Sequence, residues 1–364
     1  MERRIVFHID FDYFYAQCEE IRDSKIKGKC VAVCIFSERG GDSGAIATAN
    51  YNARKFGVKS GIPIVLAKNK LKEQTDAVFL PADFDYYSDV SSKAMDIIEK
   101  YADVFEYVGR DEAYLEVTKK TEGDFDKAEH LAQQLKNEIR NNLKLTCSVG
   151  ITPNKLLSKI ASDFKKPDGL TTVRPEQIEQ FLSPLKIREI PGIGKKTENV
   201  FLEMNVKTIE ELTKIDVFDL NKMFGRKTGG YIFNSARGID KEVVKPRPPT
   251  IQFSKITTLK KNSKELGFLQ ENVEELCIQL NRLAIENNKM YRSIGIQFVN
   301  EDLSTKTKSR MLRNPGNNLD ELKKTAIQLL EEALVEQEML VRRIGIRISE
   351  FSDVEGQSNI TSYF

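Results

Sequence analysis

Hydrophobic and polar positions along this chain change period from block to block, and each period predicts an element. The opening stretch RRIVFHIDFDYFYAQCEEI predicts an apolar strand over 5–9, then an acidic turn, then a helix. Residues 22–80 mix short strands with a helix over ATANYNARKFGV, 47–58. A helix is predicted over 84–101, and a hairpin over 104–117. Helix 126–143, strand 145–151, helix 153–164 and strand 170–173 follow. From 176 to 237 every segment reads as a short helix. Residues 239–251, IDKEVVKPRPPTI, are charged and rich in proline, the composition of a linker. Strands then alternate with two helices, 267–287 and 318–337, as far as 349, and a polar tail closes the chain. There is no internal repeat.

At 364 residues the chain is too long for one ordinary core, which predicts roughly two to four domains. No apolar run reaches the ~18 residues of a membrane span, and the N-terminus lacks a signal-peptide core. The five cysteines are scattered. Cys30 and Cys34 have no second pair, so the set reads as buried free thiols in a reducing compartment rather than as a zinc or disulfide framework. The expectation is a cytoplasmic protein. Net charge is only +2, but residues 238–349 carry 19 basic and 15 acidic side chains, a bias that suits an anionic partner.

Three acids stand out. Asp10 ends the first strand, and Asp111 and Glu112 sit side by side in the hairpin. Adjacent acids repel unless a cation lies between them. Carboxylates on one sheet edge suit hard divalent cations, two of which roughly 3.5–4 Å apart serve in-line phosphoryl transfer. Each acid alone is an ordinary turn residue; the combination gains weight from phosphate-binding patterns elsewhere. On the predicted helix 47–58, Thr48, Tyr51, Arg54 and Lys55 are spaced to share a face that could grip a triphosphate. Lys165 and Lys166 precede Pro167 at a helix end. In IPGIGKKT, Gly192 and Gly194 let backbone amides approach a phosphate, and Lys195 and Lys196 add charge. This is the helix–hairpin–helix pattern of sequence-independent DNA binding. Further on, Lys260 and Lys261 follow a strand, Lys306, Lys308 and Arg310 alternate along another, and Arg343 and Arg347 share a face of the last. A basic sheet face would track a duplex backbone.

IDFDYFYAQ, ATANYNARKFGV, DEAYLEV, SVGITPNKLLSKIASDFKKPDG and IPGIGKKT, in this order, resemble the Y-family DNA polymerases of the DinB type, closest to archaeal members. The resemblance runs over residues 4–349 and implies an α+β multidomain right-hand polymerase. Palm would be 1–21 and 81–173, fingers 22–80, a helix–hairpin–helix thumb 174–237, a linker 238–250, an α/β little finger 251–349 and a flexible tail 350–364. It implies template-directed addition of deoxynucleotides to a primer 3′ end with low fidelity and lesion bypass, on primer–template DNA and dNTP, by a monomer using two Mg²⁺ per site. By the same resemblance Asp10 and Asp111 bridge the ions, Glu112 completes the primer-side ion, and the Phe11 carbonyl joins the nucleotide-side ion. Asp12 is given no ligand role. Tyr51, Arg54 and Lys166 would hold the triphosphate, supported by Thr48 and the amides near Phe14. Tyr15 would lie under the sugar as a steric gate, and Gly44, Ala45 and Gly61 would leave room over the nascent pair.

The chain departs from the family at Gly109-Arg110, where Ser-Ile or Ser-Val is usual. Gly109 suits a tight hairpin through its freedom at positive φ. Arg110 either turns away from the acids or pairs with them and displaces cation charge. The first reading is preferred because every other catalytic position is intact; its natural anion would be a DNA phosphate or an acid such as Glu106. The second would leave a catalytically impaired DNA- and clamp-binding scaffold. A cyclase or nuclease sharing the palm sheet is a third reading, but it needs neither the hairpin thumb nor a basic little finger. The C-terminal QSNITSYF resembles the sliding-clamp-binding box of archaeal and eukaryotic clamp partners, with Gln357, Ile360, Tyr363 and Phe364 as anchors.

Overall fold

The structure, a computed structural model, describes residues 4–335 and 337–353. The clamp box at 357–364 lies outside the described residues. The strands are β1 (Val6–Phe11), β2 (Val31–Phe36), β3 (Gly44–Ala49), β4 (Val78–Pro81), β5 (Val104–Tyr107), β6 (Glu112–Glu116), β7 (Cys147–Thr152), β8 (Leu170–Thr172), β9 (Gln252–Ser263), β10 (Lys289–Asn300), β11 (Thr305–Gly316) and β12 (Val341–Asp353). They form sheets of order β5-β6-β1-β7-β8, β3-β2-β4 and β11-β10-β12-β9. The chain divides into two compact units. One holds most of residues 4–247; the other holds residues 248–353 with the short stretches 35–45 and 63–65.

In the first unit β1 is the central strand, antiparallel to β6 on one side and β7 on the other. Strand alternation separates its side chains. Phe7, Ile9 and Phe11 join Ala113, Leu115 and Val117 in a core with Tyr87, Ile98, Leu135 and Ile139 from the helices Phe84–Glu99 and Phe125–Leu143. Each buried Val, Leu, Ile or Phe among them contributes about 1.5–3 kcal/mol. His8 and Asp10 point to the other face, which carries the helix Lys155–Phe164. Gly150 of β7 makes that approach feasible: a Cβ there would stand 2.1 Å from the Ser158 carbonyl oxygen. Residues 176–237 are short helices around Ile187, Ile190, Phe201, Leu212 and Ile232.

Three expectations need correction. The helix predicted over 47–58 is only Tyr51–Lys55. Asn50 is extended (φ −70°, ψ 169°) and caps it by accepting from Ala53 N–H, so Thr48 lies on β3 instead. Lys55 is exposed, bonds to Asn52 and does not line the cleft that Tyr51 and Arg54 enter. Gly109 is not at positive φ, and a Cβ there would rest in ordinary contact with Asp111 and Glu112. The segment 239–247 lacks helix and strand, as a linker should, yet it is bonded to its own unit. Lys155, buried, pairs with Glu242 at 3.1 Å and Glu106 at 2.8 Å, and Lys245 N–H donates to Glu106.

In the second unit the helices Leu266–Glu286 and Leu319–Val335 cover one sheet face. Ile294, Ile296 and Phe298 point toward them, and Arg310, Lys308 and Lys306 are their cross-strand partners on β11. These three cations therefore lie on the helix-covered face. Lys308 and Arg310 reach past the edge of the core to Glu332, Lys308 at 3.1 Å. Period two had shown that they share a face, not which face. Arg343 and Arg347 lie on the opposite face, because the alternating Ile344, Ile346 and Ile348 fill the core; Arg347 is exposed there, whereas Arg343 is half-buried with its Nε enclosed. Lys260, next to buried Leu259, is exposed.

Candidate active site

One cleft of about 150 Å³ in the first unit is lined by Asp10, Phe11, Phe14, Tyr15, Thr48, Tyr51, Arg54, Asp111 and Lys166, with Tyr13, Ala47 and Ser60. Four separate segments thus deliver nine of the residues singled out in the sequence. Phe11 N–H donates to the Asp111 carbonyl at 2.8 Å, which fastens the end of β1 to the hairpin. Asp10 is the cross-strand partner of Glu112. Asp111 faces the cleft, whereas Glu112 approaches the helix Lys155–Phe164, with Oε2 2.5 Å from Lys159 Nζ and 3.3 Å from His8 Nε2. Lys166 Nζ lies 2.5 Å from Asp10 and 2.7 Å from Asp163.

These contacts set the protonation of the acids. Burial pushes Asp10 up to about 6 against the pull of Lys166. Burial, then the Glu112 charge, raises Asp111. His8 and Lys159 hold Glu112 down at about 2. Burial would lower Lys166, but Asp10 and Asp163 outweigh it and the ammonium is held above its usual range. His8 is fully buried, which lowers it to about 4 and leaves it neutral at pH 7. Its Nδ1 hydrogen-bonds with Ser162 Oγ at 2.7 Å.

Asp12 has a different task. Its buried carboxylate accepts from Thr146 Oγ1, Ser148 Oγ and Asp168 N–H, each at 2.8 Å, so its oxygens are engaged inside the fold. Lys136 clamps the same loop from beneath. Its buried ammonium donates to the carbonyls of Cys147, Asp168 and Gly169 at 2.7–2.9 Å. At the far end of the cleft Arg54 Nε donates to the Ala49 carbonyl at 2.8 Å, and its guanidinium lies over the Tyr51 ring. Tyr51 Oη is buried with no partner.

Arg110 turns away from both acids: Nε donates to Ser88 Oγ at 2.9 Å and the guanidinium lies over Phe84. The suggested partner Glu106 is instead taken by Lys155. The helix–hairpin–helix turn is as expected. Gly192 has φ 83°, Ile193 is buried, and Gly194 caps the helix Lys195–Glu203, whose first two lysines are exposed. Sequence reasoning missed His8 and Lys159. Both had signals: His8 shares the Asp10 face by alternation, and 159, 163 and 166 have helical spacing.

Comparison with known proteins follows the same order along the chain. Residues 9–163 match the impB/mucB/samB family, 188–240 the DNA polymerase-iota thumb domain, and 251–361 the impB/mucB/samB C-terminal domain. A Y-family DNA polymerase chimera of Dbh and Dpo4 superposes with a TM-score of 0.86 at 34% identity, covering 95% of this chain and 98% of that one. An insertion ternary complex of Dbh DNA polymerase gives 0.69 at the same identity and coverage. The chain belongs to the Y family of DNA polymerases, the right-handed architecture of palm, fingers, helix–hairpin–helix thumb and little finger, and is a DNA-directed DNA polymerase of the translesion type. Within the family it is of the DinB kind. It is 65% identical to DNA polymerase IV of Nitrosopumilus maritimus, with both chains covered completely. It is 36% identical to DNA polymerase IV of Saccharolobus solfataricus over 97% of this chain and 98% of that one. No helix among the described residues is long and apolar enough to cross a membrane.

Proposed function

We propose that this cleft is the nucleotidyl-transfer site and that Asp10, Asp111 and Glu112, with the Phe11 carbonyl, hold two Mg²⁺ ions. The carrying observation is the convergence of Asp10, Asp111 and the candidate phosphate ligands on one cleft that ends in an unpartnered tyrosine hydroxyl, with Glu112 beside it as the cross-strand partner of Asp10. The donors suit a hard cation: Asp10 and Glu112 place carboxylate oxygens within 4.8 Å of each other and of His8, and each already faces an ammonium. Bound there, the ions would activate the primer 3′-hydroxyl and neutralise the leaving pyrophosphate. The protein supplies the rest. Tyr51 Oη, the outer nitrogens of Arg54 and Lys166 orient the triphosphate of a dNTP, with Thr48 and the amides near Phe14 beside them. Tyr15 lies where a sugar would rest and excludes a 2′-hydroxyl. Positioning and charge complementarity account for most of the acceleration. Low fidelity is proposed from membership of the translesion class. Because Arg110 faces Ser88 and Phe84 rather than the acids, the scaffold reading loses its motive.

The domain limits we propose are palm 1–21 and 81–173, fingers 22–80, thumb 174–237, linker 238–250 and little finger 251–349. The protein works as a cytoplasmic monomer on primer–template DNA. The test is extension of a labelled primer by purified protein with Mg²⁺ and dNTPs. No extension in Mg²⁺, or undiminished extension in a chelator, overturns the proposal.

Two further outcomes are expected. DNA affinity should depend on Arg347, on the free sheet face, and not on Lys308, which is paired with Glu332. Arg347→Ala should weaken binding alike for all sequences and lower the log–log salt slope by about 1, while Lys308→Ala should change it little; fluorescence anisotropy across a salt series measures both. Deleting 357–364 should abolish stimulation by a sliding clamp and leave basal synthesis intact, since Gln357, Ile360, Tyr363 and Phe364 are the proposed anchors. Equal stimulation of full and shortened chains would remove that role.

A further inference from the structure

Arg110 occupies a place where the family pattern has an apolar residue, and its contacts lead to Tyr15. It fastens the hairpin that carries Asp111 and Glu112 to the helix Phe84–Glu99 in three ways. Its Nε donates to Ser88 Oγ at 2.9 Å, its carbonyl accepts from Ser91 Oγ at 2.7 Å, and its guanidinium carbon stands 5.5 Å from the Phe84 ring centroid. Ser88 Oγ donates in turn to the Phe84 carbonyl at 2.7 Å. Phe84 meets Tyr15 edge-on, with centroids 5.8 Å apart at 84°.

Tyr15 thus belongs to a triangle of rings of unequal firmness, because Phe84 and Tyr87 also meet each other edge-on at 6.2 Å. Tyr87 stacks on Tyr15 at 4.6 Å and 18°. Tyr87 is fully buried, and its hydroxyl donates to Glu19 Oε1 at 2.6 Å. Phe84, the third ring, is 36% exposed and sits in the first turn of its helix. A surface phenylalanine in that position samples several rotamers unless something holds its face. The guanidinium over the ring is such a hold.

We infer that Arg110 is a positioning residue for Tyr15, acting through Phe84, and that it sharpens discrimination against ribonucleotides. The inference rests on Tyr15 as the ring that excludes a 2′-hydroxyl. Such exclusion works only as far as the ring resists displacement, because a shift of a fraction of an ångström relieves most of a steric overlap. Arg110 stiffens the exposed corner of this triangle and ties it to the strand end that presents the acids.

The test is single-nucleotide incorporation of dCTP and CTP opposite a template G by four full-length proteins: the parent, Arg110→Leu, Tyr15→Ala and the double variant. Arg110→Leu should lower the dCTP/CTP ratio of kcat/KM by about 3- to 10-fold, the scale of a cation–π contact with one hydrogen bond. The change should appear mainly as a lower KM for CTP. In the Tyr15→Ala background the same substitution should do nothing more to the ratio, since the residue it acts on is gone. Arg110→Lys should restore part of the ratio, because an ammonium can sit over Phe84 but lacks the Nε that reaches Ser88. Ser88→Ala, a small change at a half-buried side chain, should shift the ratio in the same direction and serves if Arg110→Leu melts early. Equal losses with and without Tyr15 overturn the inference, as does no loss in either Arg110→Leu or Ser88→Ala while Tyr15→Ala opens the gate. If Tyr15→Ala itself leaves the ratio unchanged, the reading of Tyr15 falls and this inference falls with it.

Discussion

Replacing Glu112 by alanine should lower primer extension by at least about 10³-fold, or ~4 kcal/mol of barrier, while binding of a primer–template duplex changes less than about twofold. Glu112 lies at the start of β6, opposite Asp10, with its carboxylate between Lys159 and His8. Alanine there removes one of the proposed cation ligands. It leaves untouched the helix–hairpin–helix turn and the free face of the C-terminal sheet, to which duplex binding is assigned. Asp10→Ala should behave alike. The check is single-turnover extension beside an anisotropy titration. Parental extension by Glu112→Ala would remove this residue from the metal set, and equal loss of binding and extension would show a misfolded hairpin instead.

The second large effect is expected at Tyr15. Tyr15→Ala should raise ribonucleotide use relative to deoxynucleotide by about 10²- to 10³-fold, or ~3–4 kcal/mol. The ring lines the same cleft as Asp10 and Asp111 and is walled by Tyr87 and Phe84, so a hydroxyl directed at it has nowhere to go. Alanine opens a space larger than one oxygen. Incorporation of CTP and dCTP measured side by side decides it; an unchanged ratio would assign sugar selection elsewhere. Tyr15→Phe should retain the discrimination, because the argument needs the ring and not its hydroxyl.

Much of the first unit was legible in the sequence because its cues were local. Asp10 ends an apolar strand, the Asp111-Glu112 pair sits in a hairpin, and glycines flank Ile193. What escaped was set by tertiary packing. ATANYNARKFGV reads as a helix by the spacing of Thr48, Tyr51 and Arg54, yet pairing of residues 44–49 in a sheet holds Thr48 extended and leaves the helix to begin beyond Asn50. Period two placed Lys306, Lys308 and Arg310 together without showing that the helices lie on their side of the sheet. His8 resembles an ordinary core residue until the helix over Gly150 brings Ser162 and Lys159 to it.

Lys136 has a practical consequence. In a chain with many surface lysines, its ammonium is sealed under the loop that carries Lys166, held by three carbonyls of β7 and that loop. An amine-reactive reagent should modify the exposed lysines within minutes and reach Lys136 only when the loop lifts. The rate of its acylation, read by peptide mass, is therefore a native clock for opening of the Lys166 end of the cleft, with no probe introduced and no residue replaced.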